Sequence, residues 1–140
     1  MSDLALDFLR TLWALDHGLQ SHSKRMRARM GVTGPQRLVL RMIALQPGIA
    51  PSEIAKLLHF HKSTITVIVD SLETGKLVKR VPSKDDGRSV TLVLTAKGTK
   101  IARVSTGTVE SVVRKVLSKQ SKGNVASARE LLEELARAFE

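Results

Sequence analysis

Hydrophobic residues recur at helical spacing near the start of the chain. They are separated by three or four positions, which predicts an amphipathic helix over about residues 3–30. Glycine commonly ends a helix, so Gly31 is expected to end this one. The apolar positions of the predicted helix are Leu4, Phe8, Leu12, Leu15 and Leu19.

Three shorter helices are predicted to follow. "TGPQ" has the form of a capping box, because Thr33 and Gln36 can each bond the other's backbone N–H, and it predicts a second helix that stops before a Pro-Gly pair. A proline in the first turn opens a third helix, over about residues 51–58. A fourth, over residues 63–74, carries apolar residues at helical spacing and is expected to stop at Gly75.

The pattern then changes from helical spacing to alternation. "LVKRV" predicts a short strand, "PSKDDG" has the composition of a turn, and "SVTLVLT" alternates, so together they predict a β-hairpin. Thr95 is expected to cap a final helical region that begins at "AKG" and is interrupted near Gly123 and Asn124. The sequence therefore predicts a mainly α fold with a small β-hairpin.

Positive charge is concentrated in the middle of the chain. The 140 residues carry a formal net charge of +10. Residues 17–50 have six basic and no acidic side chains, and residues 51–100 have nine and five. This distribution indicates a polyanionic partner. Aromatic residues make up only 3%, which argues against a single-strand binder that stacks bases.

Composition also bears on metal sites and location. The absence of cysteine excludes disulfides, thiolate zinc sites and thiol redox sensing. The four histidines lack zinc-binding spacing, so neither a metal nor a cofactor is expected. Acidic residues stand where a signal peptide needs positive charge, and no apolar run approaches ~18 residues. We therefore expect a soluble, cytoplasmic protein without a membrane segment.

Two acids and an arginine lie at the expected tip of the hairpin. Asp85 and Asp86 are candidates for a catalytic or metal-binding pair, but no histidine, further acid or nucleophile accompanies them. Residues two apart on a strand project to the same face, so Asp86 can hold the Arg88 guanidinium in a bidentate pair and present it to a partner. The alternative is a solvated turn whose surface ion pair contributes ~0–1 kcal/mol.

The order of these elements matches a winged helix-turn-helix, whose second helix can enter a major groove. The stretch "PSEIAKLLHFHKSTITVIVDSLETGKLVKRVPSKDDGRSVTLVLTAKG" resembles the DNA-binding core of the MarR family of bacterial transcriptional regulators, most specifically in "STITVIVDSLE" and "DGRSVTLVLT". The resemblance implies an N-terminal dimerisation helix over residues 1–32. It also implies a winged helix-turn-helix over residues 33–98 and C-terminal dimerisation helices over residues 99–140.

The resemblance also implies which residues contact DNA. Arg88 would enter the minor groove and Asp86 would orient it; arginine suits a narrow, electronegative groove because it is more weakly hydrated than lysine. Short hydroxyl side chains and a lysine on the recognition helix can contact phosphates or base edges. The candidates are Lys62, Ser63, Thr64, Thr66 and Val67 on the helix and Lys84, Asp86 and Arg88 on the wing.

Three positions depart from the family pattern. His61 stands where a capping acid or serine is common, Val67 stands where an arginine is frequent, and "TGKL" transposes the usual "xxGL" order of the family. Valine can pack on a thymine methyl but cannot bond guanine. Guanine readout from this helix is therefore expected to be weak and the operator A·T-rich.

By resemblance, the protein is expected to be a homodimer that binds a palindromic operator in double-stranded DNA and represses transcription until a small molecule releases it. In the family such molecules are often aromatic acids held between the dimerisation helices and the DNA-reading head. Here that site would include Trp13, His17 and Arg41, although Trp13 is also a candidate for core or dimer packing.

Two rival functions come from other classes. A basic nuclease could use Asp85 and Asp86 with a metal, but the further ligands that it needs are missing nearby. A winged-helix architectural or protein-interaction module would have no small-molecule effector. A strong loss of affinity on scrambling a palindrome would separate a regulator from both.

Overall fold

A computed structural model describes residues 3–140, so the first two residues of the expected N-terminal segment 1–32 lie outside the described residues. The described chain contains seven helices and one hairpin, in two units, one ending at Ser105 and one beginning at Thr106. The helices are α1 Leu4–Met30, α2 Gly34–Leu45, α3 Pro51–Leu58, α4 Lys62–Thr74, α5 Ala96–Ala102, α6 Val109–Leu117 and α7 Lys122–Ala138. The strands are β1 Val78–Pro82 and β2 Val90–Leu94.

Local capping signals set the ends of the first two helices. The Asp3 carboxylate accepts from the backbone N–H groups of Ala5 and Leu6, and Gly31 ends α1 at φ 81, as expected. The capping box of α2 is also confirmed: the Thr33 side chain accepts from the Gln36 N–H, and Gln36 accepts from the Thr33 N–H at 2.9 Å. Each bond satisfies a helix N–H that has no partner within the helix.

The hydrophobic core of the first unit lies between α2, α3, α4, α5 and the hairpin. Each helix buries one apolar face, as the helical spacing predicts. Helix α1 contributes little to it, because Met26 is its one buried residue. The core residues from the helices are Val39, Leu40, Ile43, Ile54, Ala55, Ile65, Ile68, Val69, Leu72 and Ala102.

The hairpin is antiparallel and is tied to the α2–α3 loop. Val78 pairs with Leu94 at its base, and Pro82 pairs with Val90 next to the tip. Ile49 bridges Leu92, whose backbone N–H donates to the Ile49 carbonyl at 2.9 Å. The middle of β2 is therefore held by backbone bonds on both sides.

Helix α5 approaches the start of β1 closely. The Thr95 hydroxyl accepts from the Gly98 N–H at 3.0 Å, as expected, and donates to the Lys76 carbonyl at 2.7 Å. Gly98 is buried, and a Cβ added to it would overlap the backbone of Leu77. Only glycine allows this approach, which also fixes the route of the chain from α4 into the wing.

The predicted C-terminal helical region is divided differently from the expectation. The interruption expected near Gly123 and Asn124 is present, although these two residues themselves lie in the first turn of α7. The break comes just before, and the Ser121 hydroxyl accepts from the Asn124 N–H to begin the helix. A second break separates α5 from α6, where Thr108 forms a capping box with Ser111. The expected boundary between residues 98 and 99 falls within α5, and the division by role stays a prediction.

Candidate DNA interface

Helices α3 and α4 form the helix-turn-helix. His59 ends α3 in the left-handed conformation, at φ 54, and α4 begins three residues later. Helix α4 buries one face and exposes the other, which carries all five residues expected on the recognition helix. These are Lys62, Ser63, Thr64, Thr66 and Val67.

The N-terminus of α4 is left open for an anion. His61 occupies the capping position, and its side chain makes no capping bond. The first backbone N–H groups of the helix therefore have no side-chain cap, and Lys62 is in the same turn, an arrangement that suits a phosphate. The hydroxyls of Ser63 and Thr64 are exposed nearby, whereas Thr66 donates to the Lys62 carbonyl at 2.9 Å.

The wing tip differs from the expected ion pair. The Asp86 carboxylate accepts from the Arg88 backbone N–H at 2.9 Å and from the Ser89 hydroxyl at 3.0 Å. Within residues 3–140 it makes no ion pair with the Arg88 guanidinium, so the bidentate pair is wrong. Strand alternation does not apply here, because both residues lie in the turn between the strands. Asp86 fixes the turn, and Arg88 and Lys84 are exposed on it.

An arginine that the sequence interpretation missed links the wing to α4. On β1, Arg80 donates to the Asp70 and Glu73 carboxylates of α4, at 2.5 Å each. Hydrogen bonding to Asp70, with the negative charge of Glu73, raises the pKa of Arg80 above its ordinary value. Asp70 and Glu73 stand three positions apart on a helix and so share a face. This spacing was the sequence signal for a shared basic partner.

This ion-pair group ties β1 of the wing to α4, the two elements that carry the candidate DNA contacts. Arg80 also neutralises two carboxylates on the helix that would otherwise repel phosphates. All three side chains are partly exposed, at 30% for Arg80, 59% for Asp70 and 44% for Glu73, so solvent screening keeps their contribution to stability small.

The expected effector residues lie on α1 and α2. Trp13 and His17 are four residues apart on α1, which places them on one exposed face. Arg41 is half-buried on α2, which packs against α1. Whether the three act on one ligand stays a prediction.

Among residues 3–140, no three side chains of the types His, Cys, Asp and Glu come together as a metal site. No helix in this part of the chain is both long and apolar enough to cross a membrane.

Comparison with known proteins points to one family. Residues 30–89 match the model described as "MarR family". The repressor MdtR of Bacillus subtilis is 29% identical over 141 residues, covering 100% of this chain and 88% of MdtR.

Two solved structures share the fold of this chain. MepR of S. aureus, in a DNA complex, has a TM-score of 0.78 at 19% identity and covers 95% of this chain and 98% of its own. PcaV of Streptomyces coelicolor, with its natural ligand, has a TM-score of 0.79 at 24% identity and covers 100% and 99%.

These matches bear on the rival functions as well. The family model and the relatives describe transcriptional regulators, which argues against the nuclease interpretation. The hairpin and the seven helices agree with the winged-helix structures of this group. The chain is therefore similar to the MarR family over residues 30–89, and its described fold is the winged-helix fold of MepR and PcaV.

Proposed function

We propose that the protein is a ligand-responsive repressor that binds a palindromic operator as a homodimer. The observation that carries the DNA contact is the wing tip, where Asp86 fixes the turn and leaves the Arg88 guanidinium exposed without an ion pair among the described residues. A guanidinium presented in this way suits a narrow minor groove. The exposed face of α4 supplies a second contact, in the adjacent major groove.

The proposal of a homodimer rests on exposed apolar surface. Large apolar side chains are exposed on α1 in the first unit and on α6 and α7 in the second, and exposed apolar surface of this kind commonly marks a site of association. Two-fold pairing would bury them and would match a palindrome with half-sites ~34–36 Å apart. The exposed residues are Leu4, Leu6, Phe8, Trp13, Leu15 and Leu19 on α1, Val112, Val113, Val116 and Leu117 on α6, and Leu131 and Leu132 on α7.

Arg88→Ala tests the DNA contact of the wing. We expect operator binding to weaken by about 1–3 kcal/mol, because a cation in the minor groove is lost. If the guanidinium also displaces counterions, the negative slope of log K against log salt becomes shallower by about 0.9 in the variant. Lys79→Ala is the matched control, since it removes one exposed positive charge from β1 of the same wing. Fluorescence anisotropy titrations over a range of salt concentrations measure both the affinity and its salt dependence. Equal losses of affinity in Arg88→Ala and Lys79→Ala would contradict a minor-groove contact by Arg88.

Asp86→Ala is a second variant in the same titrations. It should weaken binding less than Arg88→Ala, because it frees the turn but also removes a carboxylate that repels DNA. Tighter binding by this variant would show that the turn does not need Asp86 to present Arg88.

The effector is proposed to be a small aromatic or phenolic acid. Trp13 offers an indole for stacking, and His17 and Arg41 offer donors for a carboxylate. A salicylate-like acid is expected to release the operator complex with a coupling of about 1–3 kcal/mol, because it favours a spacing of the two reading heads that does not fit DNA. Titrations of the acid against the complex should show a smaller response in His17→Ala and Arg41→Ala. An unchanged response in both variants would place the effector elsewhere.

A further inference from the structure

One apolar side chain on α4 takes no part in the core. Val67 is 68% exposed, whereas the other apolar residues of the helix are buried. We propose that Val67 is a specificity-determining residue that packs on the C5 methyl of a thymine in each operator half-site. This inference rests on the proposed function, because it requires α4 to lie in the major groove.

The neighbours of Val67 leave little other means of direct readout. Arginine or lysine bonded to guanine is the commonest specific contact in the major groove, and the exposed face over residues 63–71 carries neither. The Asp70 carboxylate already accepts from Arg80, and the Ser71 hydroxyl accepts from Gln36 at 3.0 Å. Methyl groups and hydroxyls therefore dominate this surface, and a methyl in the groove marks thymine.

The size of the effect follows from the area that one methyl removes from water. Burying a methyl-sized group contributes ~0.8 kcal/mol, which corresponds to about 4-fold in affinity. Replacing the sensitive thymine with uracil in one half-site should weaken wild-type binding by about that factor. Uracil keeps the base pairing and lacks only the methyl group.

The experiment is a uracil scan combined with Val67→Ala. An operator is first selected from randomised duplexes, and each thymine is then replaced singly by uracil. Wild type should lose about 4-fold at one position in each half-site, and Val67→Ala should bind thymine and uracil equally there. Alanine is a better helix former than valine, so an exposed substitution preserves α4, as thermal unfolding would check. Ser63→Ala, also exposed on α4, is the matched control and should keep the uracil effect.

Two results would overturn the inference, and they differ in what else they affect. If selective binding occurs but no uracil effect depends on Val67, the thymine contact is wrong and the proposed function stands. If the protein selects no duplex at all, the proposed function fails, and the thymine contact fails with it.

Discussion

Leu132→Glu is expected to convert the protein to a monomer and to weaken operator binding by at least on the order of 100-fold. Leu132 is 43% exposed on the apolar face of α7. A carboxylate there would have to be buried without a partner when two copies associate, which is costly. Each monomer would then hold one half-site, and the gain from linking two binding events, on the order of 10²–10⁴, would be lost. Sedimentation velocity measures the assembly, and anisotropy measures the affinity.

Ala126→Glu is the control for this change. It adds the same charge to α7 at an exposed position, and its neighbours three and four residues along the helix are the charged side chains of Arg129 and Glu130. This variant should remain dimeric, and its operator affinity should change little. A dimeric Leu132→Glu protein, or two variants with equally reduced affinity, would contradict the proposed association surface.

Gly98→Ala is expected to destabilise the first unit by about 3 kcal/mol, at the upper end of the overpacking range. The added Cβ would overlap the carbonyl oxygen of Leu77, and a backbone atom cannot move aside as the end of a flexible side chain can. Either α5 or the start of β1 must shift. Urea unfolding should therefore show a lower midpoint with a similar slope.

Gly123→Ala is the matched comparison. Gly123 is also helical, but apart from its chain neighbours and the nearby backbone of its own helix, no atom lies within 4 Å of the Cβ that alanine would add. The stability of the Gly123→Ala variant should be equal to that of wild type or higher by up to about 1 kcal/mol, because alanine loses less conformational entropy on folding than glycine does. Equal stability of Gly98→Ala and wild type would show that α5 is free to move away from the wing.

Features encoded by neighbouring residues were predictable from the sequence. The capping box of Thr33 and Gln36 and the cap supplied by Thr95 depend on side chains within three residues of the N–H groups that they bond. Alternation over 90–94 likewise gave the second strand of the hairpin. The order of the flanking helices came from apolar spacing as well, and the family resemblance is confirmed by the match over residues 30–89.

Features that depend on the path of the chain were not predictable in the same way. Arg80 bonds acids seven and ten residues earlier, and the contact exists only because the hairpin returns beside α4. The Asp86 carboxylate accepts from the Arg88 backbone N–H and not from its guanidinium. Both residues lie in the turn between the strands, where the alternation of side chains along a strand does not apply. The break before α6 was missed although its signals are local: they are Gly107, at φ 71, and the capping box of Thr108 and Ser111.

The most direct test of the account is the affinity and stoichiometry of the protein on its selected palindrome and on a scrambled duplex of the same composition. Titrations at ~0.15 M salt avoid the exaggerated electrostatic binding of low salt. We expect two chains on each palindromic duplex and at least about 10³-fold weaker binding to the scrambled one. One chain per duplex, or equal affinity for both duplexes, would contradict a dimeric operator-specific repressor and would favour a winged-helix architectural module.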